Sequence, residues 1–427
     1  MSARITDVRG REILDSRGNP TVEAEVRTED GNLGRASVPS GASTGKREAV
    51  ELRNGGKRYM GKGVLKAVEA INTEIRDAIV GMDAAEQIEI DKTLISLDGT
   101  ENKSRLGANA ILATSLAACR AASDALNKPL HKHIADILTQ ISAAYDVRND
   151  NNGLPTPMFN VINGGKHAGN DLSIQEFLII PAGLKLFSDK LRAGAEIYHT
   201  LKEILERKYG KSATNVGDEG GYAPPMRTTA DAMDALSDAI SESGYEGEVK
   251  MGIDAAASTF YDEHTGKYAV DGNMLDGGEI IEFYREITLK YPVILIEDPF
   301  EENSFELFAE LTAKLANIII VGDDLFVTSV KRLREGIERG AANAILLKLN
   351  QVGTLTETIN AAILAEKHGY KRVVSHRSGE TEDTFIADFS VGIHADLIKS
   401  GAPARGERTC KYNQLLRIEE EEQKMEV

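Results

Sequence analysis

The stretch PVILIED, residues 292–298, is a short aliphatic run that ends abruptly in two carboxylates. Its apolar residues are continuous, with no polar alternation, as in a strand buried on both faces. The pattern recurs in the second half of the chain as VKMGID (249–254), NIIIVGDD (317–324), AILLKLN (344–350), RVVSH (372–376) and HADLIKSG (394–401). After a first interval of about 43 residues the runs repeat about every 25, the length of a strand, a helix and two loops. Longer helical patterns fill the gaps. Such units in series over about 280 residues predict a TIM-type (β/α)8 barrel over a doubly wound sheet.

Each run carries an ionisable residue at or near its end: Asp254, Glu297, Asp323, Lys348, His376 and Lys399. In a barrel these ends share one face, where catalytic side chains collect. A single Asp after a strand reads as a helix N-cap. The whole series does not, because lysines do not cap helix N-termini and buried charge is expensive unless paired or metal-bound. Asp254, Glu297 and Asp323 would converge as oxygen ligands for a hard cation such as Mg²⁺. Zinc fits poorly, since the chain has no HExxH and no Cys/His pair. Carboxylates facing two lysines suit proton abstraction beside a substrate carboxylate, where the resulting dianion needs multivalent cations. A lysine base must be neutral, and Mg²⁺ with a second Lys⁺ nearby would depress its pKa.

Upstream of the barrel the reading is strands, then helices. TVEAEVRTEDGNLGRASVP alternates around Asp30-Gly31 and predicts a hairpin. VLKAVEAINTEIRDAIV and ANAILATSLAACRAASDAL have helical spacing, which makes residues 1–141 an α+β unit. The polar, Pro/Gly-bearing stretch YDVRNDNNGLPTP (145–157) reads as the linker to a second domain, 142–427. His131 and His133 read as a surface turn.

The chain has 427 residues and a formal net charge of −17, which argues against nucleic acid or an anionic membrane as main partner. Its two cysteines, Cys119 and Cys410, form no CxxC and predict a reducing, cytoplasmic setting without structural zinc. No signal peptide or bilayer-length apolar run is visible. The sequon at Asn102 reads as chance, and Glu419–Glu422 as a solvated acidic end. SVPSGASTGKREA (37–49) looks like a phosphate loop but fails on spacing, since Gly41 and Gly45 enclose three residues and Arg47 follows Lys46. Gly56 to Lys62 has the spacing but ends in Gly63 and follows no apolar strand.

The stretches LDSRGNPTVE (14–23), SVPSGASTG (37–45), NGGKHAGN (163–170), IQEF (174–177), GDEGGYAP (217–224), IEDPF (296–300), GDDLFVT (322–328), LLKLNQVGT (346–354) and SHRSGETED (375–383) resemble the enolase family, in order from about Ile5 to Leu416. The resemblance implies Mg²⁺-dependent interconversion of 2-phospho-D-glycerate and phosphoenolpyruvate, with two Mg²⁺ per active site. It implies that the barrel opens ββαα before its (βα)6 run. Lys348 would be the base at C2 and Glu219 the acid at C3, assisted by Glu176. Asp254, Glu297 and Asp323 would hold the first Mg²⁺, and Ser40 would reach the second. Lys399 would neutralise the substrate carboxylate, and Arg377 and Ser378 would hold its phosphate. His376, His167 and Gln175 would line the substrate. Gly41 and Gly45 would be hinges of a mobile flap. The resemblance further implies a homodimer or larger homo-oligomer, and family members also occur in complexes or outside cells. Two other readings stay open: a different metal-dependent enolising enzyme on the same fold, and a non-catalytic binding protein.

Overall fold

The computed structural model describes residues 3–41, 47–143, 153–165 and 168–425. His167, most of the flap and most of the expected linker lie outside them. The linker's last two residues, Thr156 and Pro157, already belong to a strand.

The N-terminal part opens with a three-stranded antiparallel sheet, β1 (Ile5–Leu14), β2 (Pro20–Thr28) and β3 (Leu33–Ser37). β2 and β3 form the expected hairpin, and Gly31 takes the left-handed φ of +85° that its turn requires. β1 was not legible as a strand, because charged residues such as Arg9 and Arg11 interrupt its apolar positions. In the fold Arg11 pairs across the ladder with Glu23 and Glu25. Helices follow: α1 (Leu65–Ala70), a π-turn (Ile71–Ile75), α2 (Arg76–Ile79), α3 (Gln87–Asp98), α4 (Ala108–Ala125) and α5 (Leu130–Ser142). α4 packs closely on the sheet because it is lined with alanines. Opposite it stands Gly34, where an added Cβ would lie 1.9 Å from the Ala117 carbonyl oxygen. His131 and His133 are not on a surface turn. Both are buried in α5 (4% and 3% exposed), which packs against α4 and a barrel helix.

The second part is a closed barrel. Its strands are β4 (Thr156–Asn163), β5 (Glu176–Ile180), β6 (Lys250–Asp254), β10 (Val293–Glu297), β11 (Ile319–Gly322), β12 (Ala344–Leu347), β13 (Lys371–Ser375) and β14 (Leu397–Lys399), in the cyclic order β10-β11-β12-β13-β14-β4-β5-β6. β5 runs antiparallel to both β4 and β6; the other pairings are parallel. α6 (Phe187–Tyr209) and α7 (Thr229–Glu242) lie between β5 and β6, giving the ββαα opening. A small antiparallel sheet, β7 (Tyr261–Asp262), β8 (Lys267–Val270) and β9 (Asn273–Leu275), is inserted after β6. The remaining helices are α8 (Gly277–Lys290), α9 (Phe305–Lys314), α10 (Val330–Arg339), α11 (Leu349–Val352), α12 (Leu355–Lys367), α13 (Phe385–Gly392) and α14 (Gly406–Met425). Met158, Ile180, Leu295, Val321, Leu346 and Val373 help fill the barrel interior, so it is a packed core and not a pore.

Polar ties fix the N-terminal part on the barrel. Asp91 on α3 accepts from the backbone N–H (2.8 Å) and hydroxyl (2.6 Å) of Thr356 in the first turn of α12. Arg120 on α4 pairs with Asp383 at 2.8 Å. Ser40 and Gly379 exchange two backbone hydrogen bonds, of 2.8 and 2.9 Å, which pin the start of the flap beside the strand ends.

Candidate active site

Strand register gathers the first group of side chains. Glu176 on β5 pairs in register with Asp254 on β6, and Asp254 pairs with Glu297 on β10. The three carboxylates therefore form one row across neighbouring strands. Lys399, ending β14, sends its Nζ into that row, 2.9 Å from oxygens of Asp254, Glu176 and Glu297. Burial alone would push Lys399 down, but Asp254, Glu176 and Glu297 outweigh it and hold its pKa well above the usual lysine range. Glu297 is fully buried and is pushed well above the usual carboxylate range, by desolvation first and then by Asp254. The row's three carboxylates outnumber its one lysine, and a proton retained on Glu297 relieves part of that excess.

Asp323 and Lys348 follow β11 and β12 and form an ion pair. Burial pushes Asp323 up, but Lys348 outweighs it and leaves the carboxyl below its ordinary range. Burial likewise pulls Lys348 down, and Asp323 outweighs it, so Lys348 lies above the ordinary lysine range. The expected depression of this lysine is therefore not a property of the side chains by themselves. Gln351 donates to the other Asp323 oxygen at 2.9 Å.

His376 follows β13. Arg408 donates to its Nδ1 at 2.6 Å, which leaves the proton on Nε2, 3.5 Å from Glu219. Burial drives the imidazole down to about 4 despite Glu219, so it is neutral at pH 7. Glu219 also accepts from Asn160 of β4 at 3.0 Å. Arg377 is buried and donates to Glu48 and to Asn350, both at 2.9 Å. The Ser378 hydroxyl accepts from Arg17 at 3.2 Å. Gln175, Glu176, Glu219, Asp254, Asp323, Lys348, His376, Arg377, Ser378 and Lys399 all line one cleft at the mouth of the barrel. Glu297 lies beneath it, bonded to Lys399.

Two family models match the chain: "Enolase, N-terminal domain" over residues 5–134 and "Enolase, C-terminal TIM barrel domain" over 151–426. The chain belongs to the enolase family. The enolase of Methanococcoides burtonii is 59% identical, with 98% of this chain and 95% of the relative covered. That of Methanocaldococcus jannaschii is 56% identical over the same shares, and that of Methanothrix thermoacetophila 57% over 98% and 96%.

Within this enolase-family site one expected residue is engaged elsewhere. The Ser40 hydroxyl donates to Glu51 at 3.1 Å and accepts from Arg53 at 2.9 Å. A metal would have to exchange with these partners, and the reading of Ser40 as a ligand rests on the resemblance. Other residues were missed. Asp298 accepts the backbone N–H of Asp323 (2.9 Å) and of Asp324 (2.7 Å), and so brackets the loop that carries Asp323. Asp324 is pushed up to about 7 by burial and by Asp323. Oxygens of Asp298, Asp323 and Asp324 lie within 4.8 Å of one another, an acidic group that could hold a metal. Their only sequence signal was the doubling of the strand-end acids in IED and GDD. Asp298 is the weaker ligand of the group, since both its oxygens already receive backbone donors. Asp254 and Glu297 instead offer oxygens whose present partner is the Lys399 ammonium, though the other Asp254 oxygen accepts the Ala256 N–H at 3.0 Å. An all-carboxylate donor set with excess buried negative charge fits a hard divalent cation.

Proposed function

We propose that this protein is an enolase, a hydro-lyase that interconverts 2-phospho-D-glycerate and phosphoenolpyruvate in glycolysis and gluconeogenesis. The observation that carries the reading is the row Glu176–Asp254–Glu297 around Lys399, with Lys348 beyond β12 and Glu219 tied to β4. β13 and β14 lie between those two groups in the barrel, so a base and an acid could act from different sides of one substrate.

In this reading Asp254, Glu297 and Asp323 hold one of two Mg²⁺ ions. When bound, Mg²⁺ supplies positive charge to the substrate carboxylate as the C2 proton leaves. Lys348 Nζ takes that proton and must first be neutral. Once a cation satisfies Asp323 and Glu297, their raising influence on Lys348 is relieved, while burial, Arg377 and Lys399 continue to lower its pKa. Glu219 delivers a proton to the departing C3 hydroxyl, assisted by Glu176. Neutral His376 donates its Nε2–H toward Glu219 and fixes that carboxylate's orientation. Lys399 faces the substrate carboxylate, Arg377 and Ser378 the phosphate. Gln175 lines the substrate, and His167 is assigned there by sequence alone. Ser40 would reach the second Mg²⁺, exchanging its hydroxyl's present partners, Glu51 and Arg53, for the ion.

The test is direct. Purified protein with 2-phosphoglycerate and Mg²⁺ should generate phosphoenolpyruvate, followed by ultraviolet absorbance. No signal at micromolar enzyme would sink the proposal. We further assign 1–141 and 142–427 as domains and a homodimer or larger homo-oligomer as the assembly, on family membership. Cytoplasmic residence rests on the free cysteines, Cys119 and Cys410. Among the described residues no helix is long and apolar enough to cross a membrane.

A further inference from the structure

A cleft of about 580 Å³ opens between α10 and α12, outside the catalytic mouth. That volume is in the range of small-molecule sites. Its walls include apolar side chains, Val330, Val352, Ile363 and Leu364, and its rim carries Lys331, Arg334, Lys367 and His368. Lys331 and Arg334 are exposed. Among the described residues neither has an ion-pair partner. The carboxylate in the lining, Glu357, is already committed: it accepts from Lys103 at 2.9 Å and from the Thr354 hydroxyl at 2.6 Å. A protein of net charge −17 thus presents here an apolar surface under a cationic rim.

The cleft also reaches Thr328, a fully buried residue in its lining. Val327 and Thr328 both adopt left-handed φ, +44° and +56°, where β-branched residues are strained. The Thr328 hydroxyl accepts from the Lys348 backbone N–H at 2.9 Å and donates to Gln351 at 2.6 Å. Gln351 donates to Asp323, and Asp323 pairs with Lys348, which closes the ring. One wall of the cleft is therefore a single hydrogen bond from the backbone that carries Lys348.

We propose that this cleft binds a small amphiphilic anion, an apolar body bearing a carboxylate, phosphate or sulfonate, and that occupancy is transmitted through Thr328 to Lys348. Charge complementarity selects the anionic head, and Val352 and Leu364 select the apolar body. Transmission requires that the anion bind unequally to two settings of the Val327–Thr328 turn. The binding half stands by itself; the coupling half rests on Lys348 acting as the base.

The test uses the full chain with Mg²⁺ and the fluorescent probe 8-anilinonaphthalene-1-sulfonate. Wild type should bind the probe at one site, and Lys331→Glu with Arg334→Glu should weaken it at least tenfold. Both positions are exposed and touch no catalytic residue, so the double variant should fold and keep its basal turnover. Octanoate should displace the probe, and inorganic phosphate, which lacks an apolar body, should not. Equal probe affinity in the two proteins, or displacement by 2-phosphoglycerate, would overturn the site. Saturating octanoate should change kcat about twofold or more in wild type and leave the double variant unmoved. An unchanged kcat in wild type would overturn the coupling. Absence of turnover in every protein would instead strike the proposed function and leave the binding result standing.

Discussion

Glu48, just past the flap, forks onto Arg377 of the barrel: Nη1 stands 2.9 Å from one carboxylate oxygen and Nη2 3.3 Å from the other. Both residues are buried. This guanidinium is the group proposed to receive the substrate phosphate, so Glu48 and the phosphate compete for the same donors. Glu48→Gln should therefore tighten inorganic phosphate about tenfold. It should also destabilise the ligand-free protein by roughly 3 kcal/mol, the scale for breaking a buried pair. Thermal unfolding with and without phosphate reads both effects. If phosphate affinity stayed the same or weakened, Glu48 would be a mount for Arg377 and not its competitor.

Lys348→Ala should lower kcat by about 10³-fold or more, in the range expected for loss of a general base. Asp254, Glu297 and Asp323 remain, so calorimetric titration should still detect Mg²⁺. Wild-type kcat in the variant would remove Lys348 from the mechanism.

Chelation should stop turnover, and added Mg²⁺ should restore it. The carboxylate row keeps Lys399 as an internal counter-ion, so the metal-free fold should survive. Circular dichroism after exhaustive chelation should match the starting protein. Activity that persisted after chelation would count against the metal reading.

The barrel was legible because its strands are unbroken apolar runs closed by a charge, a pattern that burial on both faces dictates. The same rule found Asp254, Glu297, Asp323, Lys348, His376 and Lys399 at the strand ends. It could not find Asp298 or Glu48, whose roles arise only where two loops or two domains meet. β1 was missed because its arginines answer to glutamates across the ladder, a relation that no local period displays. His131 and His133 were misplaced because polarity suggested a turn, while the helix that carries them is wedged against α4, α12 and α13. Ser40 is placed at the second Mg²⁺ by the resemblance alone, and in the fold its hydroxyl bonds Glu51 and Arg53.

His376 should remain neutral well into acid. Its folded pKa is about 4, lowered by burial, against about 6.5 when unfolded. The unfolded chain therefore binds more protons between those values, and this group's contribution to stability is lost as pH falls from about 6.5 to 4. Labelled-histidine NMR should show no titration of His376 at pH 6. A midpoint near 6.5 would mean that the ring is solvated or charged in place.

Asp91 has the opposite sign. Burial raises it to about 6, partly offset by donors from Ser115, Thr356 and Gln87. Against an unfolded value near 3.9, the folded protein binds more protons between about pH 4 and 6. Stability from this group is thus greatest at low pH and is lost as pH rises through 6. Asp91→Asn removes the titration but keeps an oxygen for the Thr356 N–H and hydroxyl. The Gln87 amide nitrogen also donates to the Ser115 carbonyl (3.2 Å) and hydroxyl (3.1 Å), so it cannot turn over freely, and the new Asn carries a pH-independent cost there. The pH-dependent part of the difference should favour the variant by on the order of 2 kcal/mol at pH 7. That part should shrink steadily as pH falls from 6 to 4. Paired thermal unfolding curves across that range measure it, and because His376 is common to both proteins its contribution cancels in the difference. A difference that did not vary with pH would show that Asp91 does not titrate in the domain contact.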